Sequence, residues 1–107
     1  MTDFSYLNVD NAYKLINQKV TKTPLVTNDY INNLLEAEIY FKLENLQNTG
    51  SFKLRGATHK ITKLIENVKD SGVVAYSSGN HAQAVAYASM INSISAKIIM
   101  PKTAPQI

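Results

Sequence analysis

The chain has 107 residues, 45% of them hydrophobic, with a formal net charge of +3 and no cysteine. That composition supports one modest core and is short for a whole enzyme, and without thiols neither a disulfide frame nor a thiolate metal site can be built. The basic residues alternate with acids, so no stripe tracks a nucleic-acid backbone or a membrane surface, and no apolar run reaches spanning length.

Met1-Thr2-Asp3-Phe4-Ser5-Tyr6 lacks the basic start and long apolar core of a signal peptide, and a soluble cytoplasmic protein is expected. Val9, Tyr13, Ile16 and Val20 then recur at helical spacing, with Asp10 or Asn8 available to cap the helix start. The helix ends before Thr21-Lys22-Thr23-Pro24, because proline lacks a donor and pushes its predecessor into extended backbone. Read alone, Thr23-Pro24-Leu25 is a simple helix-to-strand connector.

Asn28 to Glu36 reads as a short helix with Tyr30, Ile31, Leu34 and Leu35 on its apolar side, weakened by its asparagines. Glu38 to Leu43 alternates as a strand should. A polar turn from Asn45 to Gly50 follows, and Leu54, Ala57, Ile61, Leu64, Ile65 and Val68 then mark one face of a single helix. Lys53 falls in its first turn.

Asp70-Ser71-Gly72 closes that helix. Val73 to Tyr76 is a short apolar strand, Ser77-Ser78-Gly79-Asn80 a small-residue turn, His81 to Ile91 an alanine-rich helix, and Ala96 to Met100 the next strand. This order predicts a parallel βαβ unit, with the alanines at 82, 84, 86 and 88 suited to close packing against the sheet. Met100 to Ile107, with Pro101 and Pro105, is a connector. A parallel sheet of two or three strands leaves edges unpaired and a face uncovered, so the chain reads as part of a larger unit.

Two places can carry chemistry. A lysine is nucleophilic only when unprotonated, and an ordinary pKa of about 10.4 leaves few such amines at neutral pH. A helix N-terminus opposes the ammonium form by only about 0.3–1 kcal/mol. Desolvation is the larger lever, and Phe52 could supply apolar cover for Lys53. The ordinary alternative is a solvated surface lysine. At the second place, the turn from Ser77 to Asn80 leads from a strand end into a helix, where free N–H groups and the helix dipole favour an anion. Serine and asparagine at such a position more often cap the helix.

Lys42-Leu43-Glu44-Asn45-Leu46-Gln47 followed by Thr49-Gly50-Ser51-Phe52-Lys53-Leu54-Arg55-Gly56-Ala57 resembles the cofactor-lysine segment of the fold-type II pyridoxal phosphate (PLP) enzymes, in particular the threonine/serine dehydratase and serine racemase group. Thr23-Pro24-Leu25 and Ser77-Ser78-Gly79-Asn80-His81-Ala82-Gln83-Ala84 resemble two more blocks of that family, in the same order. The cysteine synthases resemble it more loosely, having an acidic residue where this chain has Leu54. Glu36 stands where the family commonly has glycine, and Ala84 where glycine often follows the glutamine.

The resemblance implies an α/β fold, the N-terminal part of a tryptophan synthase beta-like protein. Residues 1–52 would belong to the larger cofactor domain, and residues 53–107 would begin the smaller one. It implies that Lys53 holds PLP as a Schiff base, then removes the α-proton of a small amino-acid substrate. Phe52 and Asn80 would contact the cofactor, Asn80 at its phenolic oxygen. Ser77, Ser78, Gly79, Asn80 and His81 would receive the substrate carboxylate, with Ser78 facing Cα from the side opposite Lys53. The implied reaction is dehydration of L-threonine or L-serine to a 2-oxo acid and ammonia; racemisation, β-replacement and a fragment that only folds or binds are the alternatives. It further implies a homo-oligomer at full length. No metal site is expected from these residues: His59 and His81 each stand alone, and Arg55 reads as half of a structural ion pair.

Overall fold

A computed structural model describes residues 5–104. Helix α1 (Tyr6–Ile16) leads to a short strand β1 (Leu25–Thr27), helix α2 (Asp29–Leu35) and strand β2 (Tyr40–Lys42). A 3-10 turn, Glu44–Leu46, connects to helix α3 (Lys53–Lys63), which is followed by one further turn, α4 (Ile65–Val68). Strand β3 (Val73–Tyr76), helix α5 (Asn80–Ile91) and strand β4 (Ala96–Ile99) complete the fold.

β1 and β2 pair antiparallel, Leu25 opposite Lys42, while β3 and β4 pair parallel, Val73 opposite Ala96 and Tyr76 opposite Ile99. The second pair with α5 between its strands is the βαβ unit expected from the sequence. As expected too, one side is bare: Val74 and Tyr76 are exposed.

The core lies between helices. Leu54, Ala57 and Ile61 of α3 meet Ala84, Val85 and Ala88 of α5, and Ile16, Val20 and Ile94 join them. Ala84 and Ala88 therefore join the core that α5 shares with α3, and α5 has fewer contacts with β3 and β4, while Ala86 is exposed. This corrects the expectation of packing mainly against the sheet: alanine brings two backbones close, but its periodicity does not say which neighbour benefits.

Other expectations change locally. Ser5 caps α1, its hydroxyl accepting from the Asn8 N–H, so neither Asn8 nor Asp10 is the cap; Asp10 instead pairs with Lys14 one turn on, at 2.6 Å. Val20 belongs to the core but lies past the end of the helix. Only Tyr40–Lys42 of the predicted strand pairs with β1, because the Ile39 N–H is taken by the Asn32 side chain at 2.9 Å. Tyr30, Leu34 and Leu35 are exposed and Ile31 is half-buried, so most of the apolar side of α2 meets no cover among the described residues.

The single helix expected after Lys53 is interrupted at Leu64, which leaves helical geometry (φ −102°, ψ 15°). Ile65 and Val68 still pack against the core, so the apolar face survives the interruption. Gly72 then turns the chain into β3 with φ +75°, and a Cβ there would lie 2.7 Å from the Ser95 carbonyl oxygen. Only glycine satisfies both demands.

Glu36 ends α2 in the left-handed region (φ 49°, ψ 40°). A side chain there costs roughly 1 kcal/mol that glycine avoids. Glu36 is exposed, so nothing is lost by removing it. Glu36→Gly is expected to raise unfolding free energy by about 1 kcal/mol, read from the urea midpoint at unchanged slope.

Candidate active site

Lys53 opens α3, as the sequence predicts. Its neighbours settle in opposite environments: Leu54 is wholly buried in the core, whereas Phe52 is 61% exposed. The Lys53 Nζ lies 5.1 Å from the centre of the Phe52 ring, a cation–π distance. Lys53 itself is exposed. The expected shielding of its amine from water is therefore not provided by the described residues. One aromatic ring covers one side of an ammonium, and a helix start at the surface leaves the rest to solvent.

The turn at Ser77–Asn80 has the form expected from sequence, with a different use of its side chains. Gly79 is the residue before α5, and no side chain caps the helix. The Ser77 hydroxyl instead accepts from the Gly79 N–H at 3.3 Å, bracing the turn. Ser78 and Asn80 are exposed, and neither side chain has a hydrogen-bond partner among the described residues. The N–H groups of Asn80, His81 and Ala82, the first of the helix, likewise have no acceptor. The capping role that these residues could have taken is left unfilled, and their donors remain free for an anion. His81 is exposed and does not cap.

The two helix starts border one groove. Gly56, Ala57, Lys60 and Ile61 of α3 line a cavity of about 300 Å³ together with His81 and Val85 of α5 and with Val73 and Ala75 of β3. Lys53 and Ser78 are not in its lining; the groove brings together the turns that follow them. His59 is half-buried beside α1 and apart from this groove. Among the described residues no cluster of histidine and carboxylate side chains could hold a metal, and no helix is long and apolar enough to cross a membrane.

The polar contacts behind Lys53 make Arg55 half of an ion pair, as the sequence suggested, and give Glu44, Thr21 and Gln47 roles that sequence reasoning did not. The Arg55 guanidinium grips Glu44 with both arms, Nε to Oε2 at 2.9 Å and a terminal nitrogen to Oε1 at 2.7 Å. The same terminal nitrogen reaches the Thr21 carbonyl at 3.0 Å, and the Thr23 hydroxyl donates to Glu44. Hydrogen bonds from Arg55, opposed by burial and assisted by Thr23, lower the Glu44 carboxyl from 4.5 to about 2. Arg55 is raised in turn by the same bonds. Gln47, 4% exposed, clamps Thr21 through both its backbone N–H (2.8 Å) and its carbonyl (2.9 Å). Thr23-Pro24-Leu25 is thus more than a connector: buried Thr23 is tied to the helix that carries Lys53. An acid eleven residues before an arginine, across a turn, offers no periodic signal. Only the family resemblance of the Lys42–Gln47 and Thr49–Ala57 blocks pointed to the region.

The sequence model of the pyridoxal-phosphate-dependent enzymes matches residues 16–107. Serine racemase of Dictyostelium discoideum is 44% identical over all 107 residues, which correspond to 33% of its length. Biosynthetic L-threonine dehydratase of Lactococcus lactis is 52% identical over 97 residues, 91% of this chain and 23% of its own. The crystal structure of the Dictyostelium serine racemase superposes with a TM-score of 0.88 at 46% identity, covering 94% of this chain and 33% of that one. The chain thus spans a third or less of the length of these relatives, and its fold is the N-terminal part of a fold-type II architecture. On the family match and the superposed fold together, the chain belongs to the pyridoxal-phosphate-dependent enzymes.

Proposed function

We propose that the protein dehydrates L-threonine or L-serine, releasing a 2-oxo acid and ammonia. The observation that carries this reading is the uncommitted donor set at the start of α5: three backbone N–H groups with the Ser78 and Asn80 side chains, next in the chain to His81, which lines the groove shared with the Lys53 helix. An amino acid offers a carboxylate suited to such a turn.

The residues present fit PLP. Lys53 provides an accessible primary amine, Phe52 an aromatic face beside it, and Asn80 a free amide. At Gly79 an added Cβ would meet nothing within 4 Å, so space lies open beside the turn. Lys53, Phe52 and Asn80 would hold the cofactor, whose conjugated ring supplies the electron withdrawal that acidifies Cα. Lys53 takes the α-proton, the β-hydroxyl departs as water, and hydrolysis of the resulting enamine yields the oxo acid and ammonia. The turn from Ser77 to His81 holds the carboxylate throughout. In this reading the cover that Lys53 needs comes from residues outside this chain, and the assembled protein is a homo-oligomer.

Racemisation is the second reading, favoured by the free Ser78 hydroxyl, which can return a proton to the other face of Cα. The exposure of Lys53 favours a third statement: the 107 residues alone bind or fold without turning over substrate. The test is to incubate the protein made from its whole reading frame with L-threonine and L-serine and to measure ammonia, 2-oxo acid and D-serine. Ammonia with equimolar oxo acid is expected. D-serine without ammonia transfers the assignment to racemisation, and cysteine formation from O-acetylserine and sulfide without either transfers it to β-replacement.

A further inference from the structure

We infer that Glu44, Arg55 and Thr23 are positioning residues that fix Lys53 for its reaction, a role that rests on reading Lys53 as the cofactor lysine. The Lys53 side chain makes no hydrogen bond among the described residues, and its Nζ lies over the Phe52 ring. Its placement therefore depends on its backbone. Two flanking residues hold that backbone: Leu54 is sunk in the core, and Arg55 is held on a different face of the helix. At about 100° per residue, Arg55 leaves the helix some 200° round from Lys53, so the grip does not obstruct the amine.

The grip is specific in form. Three segments distant in sequence meet at one guanidinium: the connector after α1 through the Thr21 carbonyl and Thr23 hydroxyl, the 3-10 turn through Glu44, and the first turn of α3. A two-armed arginine–carboxylate contact fixes direction as well as distance, which a lysine in the same place could not do. Glu44 is only 15% exposed at its side chain, so the contact is sheltered from screening. Gln47 and Lys42 hold the remaining partners still, the latter donating to the Thr23 carbonyl at 2.6 Å. Reaction geometry is sensitive to such anchoring: a displacement of about 1 Å can cost a hundredfold in rate.

The experiment compares Glu44→Gln, Arg55→Lys and Thr23→Val with the parent, each made from the whole reading frame. PLP is added at limiting concentration, borohydride is used to trap it, and the labelled peptide is quantified by mass spectrometry. Circular dichroism and thermal melting report the folded fraction. For folded Glu44→Gln and Arg55→Lys, trapping at Lys53 is expected to slow by about ten- to a hundredfold, with kcat falling more than KM rises. Thr23→Val should move the same way by less. A merely structural contact lowers the melting temperature and leaves trapping in the folded molecules at the parental rate, and that result overturns the inference. Should Glu44→Gln fail to fold, Arg55→Lys decides, and Thr23→Val decides if both fail. If the parent itself is not labelled at Lys53, the reading of Lys53 falls, and the inference with it. Labelling of the parent together with unchanged variants removes only the positioning role.

Discussion

Replacing Lys53 by alanine is expected to abolish the absorbance near the visible edge that PLP develops on the protein, and to cut ammonia release from threonine by about a thousandfold or more. The loss should be chemical and not structural. Lys53 is exposed and outside the core, and its side chain makes no hydrogen bond among the described residues. Its contact with the Phe52 ring contributes about 0.5–1 kcal/mol at such a site. The far-UV spectrum and urea midpoint of Lys53→Ala should therefore match the parent closely. Lys53→Arg sharpens the comparison, since it keeps the charge and the cation–π contact but offers no amine that condenses with an aldehyde. A full-strength absorbance band in Lys53→Ala, or undiminished turnover in either variant, would place the chemistry elsewhere.

The contrast between Lys53 and Arg55 shows what kind of information the sequence carried. The helix holding both was legible from Leu54, Ala57 and Ile61, because burial of one face imposes a period that any sequence must obey. The strand, turn and helix from Val73 to Ile91 were legible for the same reason, and Gly72 because a tight turn demands it. Choices among near-equivalent local partners were not. Ser5, Asn8 and Asp10 are all competent caps, and the one used depends on where the first turn starts. Contacts across the fold were hidden further still. Nothing periodic links Thr23, Glu44 and Arg55, whose meeting follows from how α1, the 3-10 turn and α3 pack. The exposure of Lys53 belongs to the same class: shielding is a property of whatever lies opposite the residue, and the sequence around it records only the side facing its own helix.

The Glu44–Arg55 contact gives the folded protein a predictable response to acid. Glu44 titrates at about 2 in the fold and near 4.5 when unconstrained. A depressed carboxyl contributes stability that is complete above its unfolded value and declines as the pH falls through its folded value. The contribution should therefore be intact at neutral pH, begin to fade below about pH 4.5 and be gone near pH 2. At about 1.4 kcal/mol per unit, the shift corresponds to up to about 3 kcal/mol, with partial solvent access reducing it. Glu44→Gln keeps the shape, removes the charge and leaves the Arg55 fork without its ionic partner. At pH 7 this variant should lose about 2–3 kcal/mol, because one member of a sheltered pair is left uncompensated. Urea titrations from pH 7 to pH 2 should show parent and variant converging as Glu44 takes up its proton. Parallel curves, with the same gap at pH 2 as at pH 7, would mean that Glu44 is not held ionised by Arg55. A gap that closes between pH 4.5 and 2 would tie the acid response of the fold to the contact that also anchors the first turn of α3.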